Sequence, residues 1–98
     1  MTEFETAVDA VLRGLRPGEV VTYSEVALEA GYSSRASRSV GGFLSRHGDE
    51  YPWWRVVTAD GRLVPGHEVE HARRLRREGV EVEAGAVAGL RRHTGRRT

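Results

Sequence analysis

"TYSEVALEAGYSSRASRSVGGFLSRH", residues 22–47, decides the fold. Thr22 stands three residues before Glu25, the spacing of a capping box, in which a hydroxyl caps the first helical turn and a carboxylate bonds back to the cap residue's own N–H. A short helix is expected from there to Gly31, which sits where a left-handed C-terminal glycine belongs. The hydroxyls of "YSS" at 32–34 then cap a second helix, "RASRSVGGFLSRH", whose apolar positions Ala36, Val40, Phe43 and Leu44 share one face. Two helices joined by a tight glycine-containing turn make a helix-turn-helix, with the later helix as its recognition helix.

Working outward, Thr2–Glu5 has the same capping-box spacing, and Phe4, Ala7, Val8, Val11 and Leu12 follow at helical intervals up to Gly14. A turn is expected at Pro17–Gly18. Beyond "GDEYP", the stretch "WRVVTADGRLV" reads as strand, Asp60–Gly61 turn of the I′ type and strand, a small wing. "HEVEHARRLRREG" follows as a strongly charged helix closed by Gly79, then the alternating "VEVEAG". The fold class expected is mainly α with a small β-hairpin, a winged helix-turn-helix. Ninety-eight residues suit one domain with a single modest core. We expect it over residues 1–83, followed by a basic, loosely ordered tail at 84–98.

The net charge of +1 conceals an asymmetry. Residues 1–34 hold two arginines against six acids, and residues 35–98 hold thirteen against eight, with no lysine anywhere. Arginine's planar fork suits bidentate contacts to phosphates and base edges, so the second half hints at nucleic acid. Cysteine is absent, which removes disulfides, thiolate metal ligands and a cysteine nucleophile. The acidic, amphipathic N-terminus is no signal peptide, and no apolar run approaches a membrane span, so a cytoplasmic protein is expected.

"HEVEH", His67–His71, matches the H-E-x-x-H pattern in which two histidines one helical turn apart hold zinc and the glutamate acts as general base. Pro65–Gly66 places it at the first turn of its helix, among charged residues and with no obvious third ligand. A solvated helix start is the expected reading, and no metal or other cofactor is expected.

"GEVVTYSEVALEAGYSSRASRSVGGFL" followed by "PWWRVV" resembles the DNA-binding domain of the O6-alkylguanine-DNA alkyltransferases over about residues 3–83. That family carries a Gly-x-Val-x-Ser/Thr-Tyr segment, an Arg-Ala-Val-Gly-like recognition helix and an active-site Pro-Cys-His-Arg-Val, and here Trp53 stands in the cysteine's place. The replacement resembles the alkyltransferase-like proteins, which bind alkylated DNA without repairing it.

The resemblance implies roles for particular residues. Tyr23 would crowd the target nucleotide's phosphate and help rotate its base out, while Arg38 would enter from the minor groove and fill the gap. Ser34, Ser37 and Ser39 would touch phosphates, and Gly41 and Gly42 would let the helix lie close to the backbone. The alkylguanine pocket would contain Trp53, Trp54, Arg55 and Val56, with Trp53 offering a π surface to the extruded base. Trp54 replaces the family's activating histidine and would either pack in the core or line the pocket, Arg55 would hold the site's shape, and the family's helper carboxylate has no clear counterpart, the matching stretch lying near Ala72. The implied function is to bind double-stranded DNA containing O6-alkylguanine, flip the lesion without removing its alkyl group and flag it for nucleotide excision repair. The implied protein is a monomer and not an enzyme, with excision-repair proteins as further partners and no membrane attachment. A sequence-specific winged helix-turn-helix transcription regulator is the alternative, and would need a dimer to read two half-sites.

Overall fold

Thr2 and Thr22 both close capping boxes in the computed structural model, which describes residues 1–88. Thr2 Oγ1 accepts from the Glu5 N–H at 3.1 Å while Glu5 Oε1 accepts from the Thr2 N–H at 3.0 Å, and this pair opens helix α1 (Glu3–Arg13). The Thr22–Glu25 pair, at 3.1 and 2.8 Å, opens α2 (Tyr23–Glu29) directly after strand β1 (Val21–Thr22). Gly31 takes φ +94° and ends α2 in a Schellman motif, with the Tyr32 N–H donating to the Ala27 carbonyl at 2.9 Å and the Gly31 N–H to that of Leu28 at 3.0 Å. Ser33 then caps a short 3₁₀ turn, Ser34–Ala36, so that the recognition helix α3 runs Ser37–His47, slightly later than the sequence pattern places it.

Strand β2 (Val56–Val57) departs from the expected wing. It pairs in parallel with β1, Val21 opposite Val56 and Thr22 opposite Val57. Successive strand residues face opposite sides, so the doublets Val20–Val21 and Val56–Val57 each serve two cores. Val21 and Val56 join Val8, Leu12, Val26, Val40 and Phe43 between the first three helices. Val20 and Val57 join Leu63, Leu75, Val80, Val82 and Val87 against α4 (Glu68–Arg77). Two buried clusters thus flank one short ladder, where a single core was expected. Burying both faces of β2 removes more apolar surface from water than an exposed wing strand would.

The Asp60–Gly61 turn is not of the I′ type. That type needs positive φ at both central residues, and only Gly61, at +80°, has it. Instead the Gly61 N–H donates to the Thr58 carbonyl at 2.8 Å and the Thr58 N–H to that of Arg62 at 3.2 Å, a tight loop with a glycine bulge. The hairpin lies further on, between β3 (Val82–Glu83) and β4 (Ala86–Val87), turned by Ala84 at φ 51° and Gly85 at φ 75°. Arg62 bridges Ala86 on its edge. Val87 is buried, so the folded part extends past the expected boundary at residue 83; residues 89–98 of the expected tail lie outside the described residues.

Candidate nucleic-acid interface

The segment after α3 builds the floor of a cavity. Pro52 leads into a 3₁₀ turn, Trp53–Arg55, that feeds β2, and the three side chains of that turn diverge. Trp53 faces a cavity of about 400 Å³, a volume in the usual range for small-ligand sites. Tyr23 of α2 and Gly41, Leu44 and Arg46 of α3 form one wall, and Asp49 stands at its end. Val64, His67 and Arg74 form the other wall. A shallower groove adjoins it, lined by Ser24, Ser37, Arg38, Thr58 and Ala59, and Tyr23 and Gly41 border both.

Two hydrogen-bonded nodes hold that floor from behind. His71 is fully buried, contrary to the solvated helix start expected of H-E-x-x-H. Its Nδ1 accepts from the Val64 N–H at 3.1 Å, which assigns the ring proton to Nε2, and Nε2 donates to the Trp54 carbonyl at 2.8 Å. Both nitrogens are therefore committed to the backbone, and neither is left for zinc; among the described residues no cluster of three metal-ligating side chains occurs. The ring also stands edge-on to Trp53 at 5.0 Å between centroids. Burial holds the His71 pKa below the usual histidine value, against the opposing pull of the Trp54 carbonyl.

The second node is Glu78. Its carboxylate accepts from Trp54 Nε1 at 2.8 Å, from Arg55 Nη2 at 2.7 Å and from the Gly18 N–H at 2.8 Å, while Arg55 Nη1 reaches the Leu15 carbonyl at 3.0 Å. Burial alone would raise the Glu78 pKa, but the bonds from Arg55, Gly18 and Trp54 together carry it below the ordinary carboxylate value. The side chain at position 54 thus does meet a carboxylate, at the end of α4 rather than near Ala72.

The sequence-derived residues separate into three groups. Tyr23, Gly41 and Trp53 meet at the cavity, and Ser37 and Arg38 line the adjoining groove. Exposed Ser34 and Ser39 and half-buried Gly42 line neither. Trp54, Arg55 and Val56 are turned away from the cavity: Trp54 packs on the second core, Arg55 is tied to Glu78, and Val56 is fully buried in the first core. Of residues 53–56, Trp53 alone lines the cavity, while Trp54 packs on the core and Arg55 is held by internal bonds, because a turn entering a strand sends consecutive side chains to different sides. Arg74, Thr58 and Ala59 were not anticipated; a spacing of four from Glu70 to Arg74 was the one available signal, marking a paired helix face.

Residues 3–80 match the family model of the 6-O-methylguanine DNA methyltransferase, DNA binding domain. A "DNA base-flipping protein" of Vibrio parahaemolyticus is 36% identical over 93 residues, covering 90% of this chain and 92% of the relative. A "bifunctional methyltransferase/endonuclease" of Picrophilus torridus is 34% identical over 83 residues, 80% of this chain but 27% of that protein. Among solved structures, S. pombe Atl1 in complex with damaged DNA containing O6-carboxymethylguanine superposes with a TM-score of 0.71 at 33% identity, covering 85% of this chain and 82% of the other.

Proposed function

Because the chain belongs to the 6-O-methylguanine DNA methyltransferase DNA-binding-domain family, we propose that it binds duplex DNA carrying O6-alkylguanine and turns the damaged base into the Trp53 cavity without removing the alkyl group. In this reading it flags the lesion for nucleotide excision repair and acts as a monomer. The observation that carries the reading is the cavity itself: it opens beside the recognition helix and presents an indole where alkyl transfer would need a thiolate. The names of the Vibrio and S. pombe relatives, one for base flipping and one bound to damaged DNA, support it.

Extruding a guanine costs a few kcal/mol of stacking and pairing, less where alkylation has already weakened the pair. Arg38, exposed on α3 and bordering the groove, fills the vacancy. Tyr23, shared by groove and cavity, crowds the phosphate and guides the base between them. Trp53 then holds the base by stacking, worth roughly 1–3 kcal/mol.

The test compares otherwise identical duplexes with guanine and with O6-methylguanine. Arg38→Ala should weaken lesion binding and reduce the signal of a fluorescent base at the flipped position, with the fold intact. Trp53→Ala should instead narrow the gap between modified and normal guanine. Binding that ignores alkylation but ranks unmodified sequences would replace this reading with that of a transcription regulator.

A further inference from the structure

The walls of the cavity are unevenly charged. Arg46, which also pairs with Glu5, and Arg74 line it beside the His67 imidazole, with one acid, Asp49, among the described residues. Arg74 stands nearest the floor, its guanidinium carbon 5.8 Å from the centroid of Trp53 and 4.8 Å from that of Trp54. Both distances are within cation–π range, so the two indoles hold the guanidinium at the cavity wall. Its bond to Glu70 at 2.6 Å uses Nε, and no other hydrogen bond engages it among the described residues. Glu70 also binds Arg73, so the cluster of two arginines and one carboxylate keeps a net positive charge at the cavity wall.

From this arrangement we infer that Arg74 tunes the cavity to O6 substituents ending in an anionic group, such as a carboxylate, over neutral substituents of the same size. The inference rests on the proposed lesion-binding reading, in which the alkyl group of the flipped base faces Trp53. The terminal nitrogens of Arg74 can then donate to a carboxylate a few ångströms above the indole, a charge-assisted bond roughly twice as strong as a neutral one. Partial burial matters here: the Arg74 side chain is 39% exposed, so solvent screens it less than a free surface charge.

The experiment measures the affinity of the full chain for four duplexes that differ only at one guanine: unmodified, O6-methyl, O6-carboxymethyl and O6-carbamoylmethyl, the last being the uncharged isostere of the third. Backbone electrostatics are common to all four and cancel in the ratios. The carboxymethyl duplex should bind about tenfold more tightly than the carbamoylmethyl duplex. In Arg74→Met, which keeps apolar cover on the indoles, that ratio should fall to about one, whereas Arg74→Lys should keep part of it. Thermal unfolding of each variant establishes that it is folded, and Arg74→Gln serves if the methionine variant is not. A carboxymethyl-to-carbamoylmethyl ratio near one in the wild type, or a ratio that survives in folded Arg74→Met and Arg74→Gln, overturns the inference while leaving lesion recognition standing. Equal binding of all four duplexes overturns lesion recognition and the inference together.

Discussion

Gly41→Ala separates the stability of the recognition helix from its work on DNA. Gly41 lies inside α3, and a Cβ placed there meets no atom within 4 Å apart from its chain neighbours and its own helix's backbone. A glycine in a helix interior costs about 1 kcal/mol relative to alanine. Without an opposing clash, the substitution should stabilise the free protein by about 0.5–1 kcal/mol, a rise of roughly 2–8 °C in Tm for a domain of this size. The open space, however, borders both the groove with Arg38 and the Trp53 cavity, and the proposed route of the base runs through it. A methyl group pressed against DNA there should act as overpacking does elsewhere, at about 1–3 kcal/mol, so that lesion affinity falls roughly 5- to 150-fold. Calorimetric unfolding and fluorescence anisotropy on an O6-methylguanine duplex measure the two effects separately. A more stable variant that binds lesion DNA like the wild type would show that Gly41 does not lie on the route.

Three further outcomes follow from the same geometry. With radiolabelled O6-methylguanine DNA the label should stay on the DNA, and Trp53→Cys alone should not move it efficiently, because position 54 supplies an indole rather than an activating imidazole; stoichiometric label on the wild-type protein would contradict the proposed function. Affinity for lesion and control duplexes alike should fall steeply with salt, and a flat response in a titration from low to high ionic strength would argue against phosphate-dominated binding. Because the folded-state pKa of His71 lies below its unfolded value of about 6.5, the unfolded chain binds the extra proton first, so stability is complete above that pH and is lost as pH falls towards the folded pKa. Melting temperature should therefore drop between pH 7.5 and 5.5, and a His71→Gln variant with the same drop would remove His71 as its cause.

Local signals carried the helices. Both capping boxes, the Gly31 terminus and the apolar face of Val40, Phe43 and Leu44 depend on neighbours within a few positions, and all form as read. The wing failed because its outcome depended on a distant partner. "RVV" pairs with "VVT" thirty-five residues earlier, which no local periodicity of two can announce. The hairpin that does form turns on Ala84, a residue rarely found at positive φ, so the I′ signal of Asp60–Gly61 looked stronger than the real one. His71 was misjudged for a related reason: its charged neighbours along the chain suggested solvent, while the carbonyl and N–H that satisfy it come from Trp54 and Val64, brought in by the tertiary fold.

The concentration of aromatic surface at residues 53 and 54 divides the labour between a contact and its support. Trp53 lines the cavity and packs at a steep angle against His71, whereas Trp54 sends its indole N–H to Glu78 and offers its carbonyl to His71. Glu78 in turn fixes Arg55 and the Gly18 turn, so the segment on the C-terminal side of Trp53 is held by His71 of α4 through the Trp54 carbonyl, by Glu78 just past that helix, and by the Leu15 carbonyl after α1. Under the proposed function, the floor of the cavity is thereby set before a base arrives, and the ordering cost that a mobile aromatic would add to binding is already met in folding. An arrangement built for transfer would spend position 54 on activating its neighbour. Here position 54 is spent on holding the neighbour still, as the proposed function asks of a protein that binds a base without repairing it.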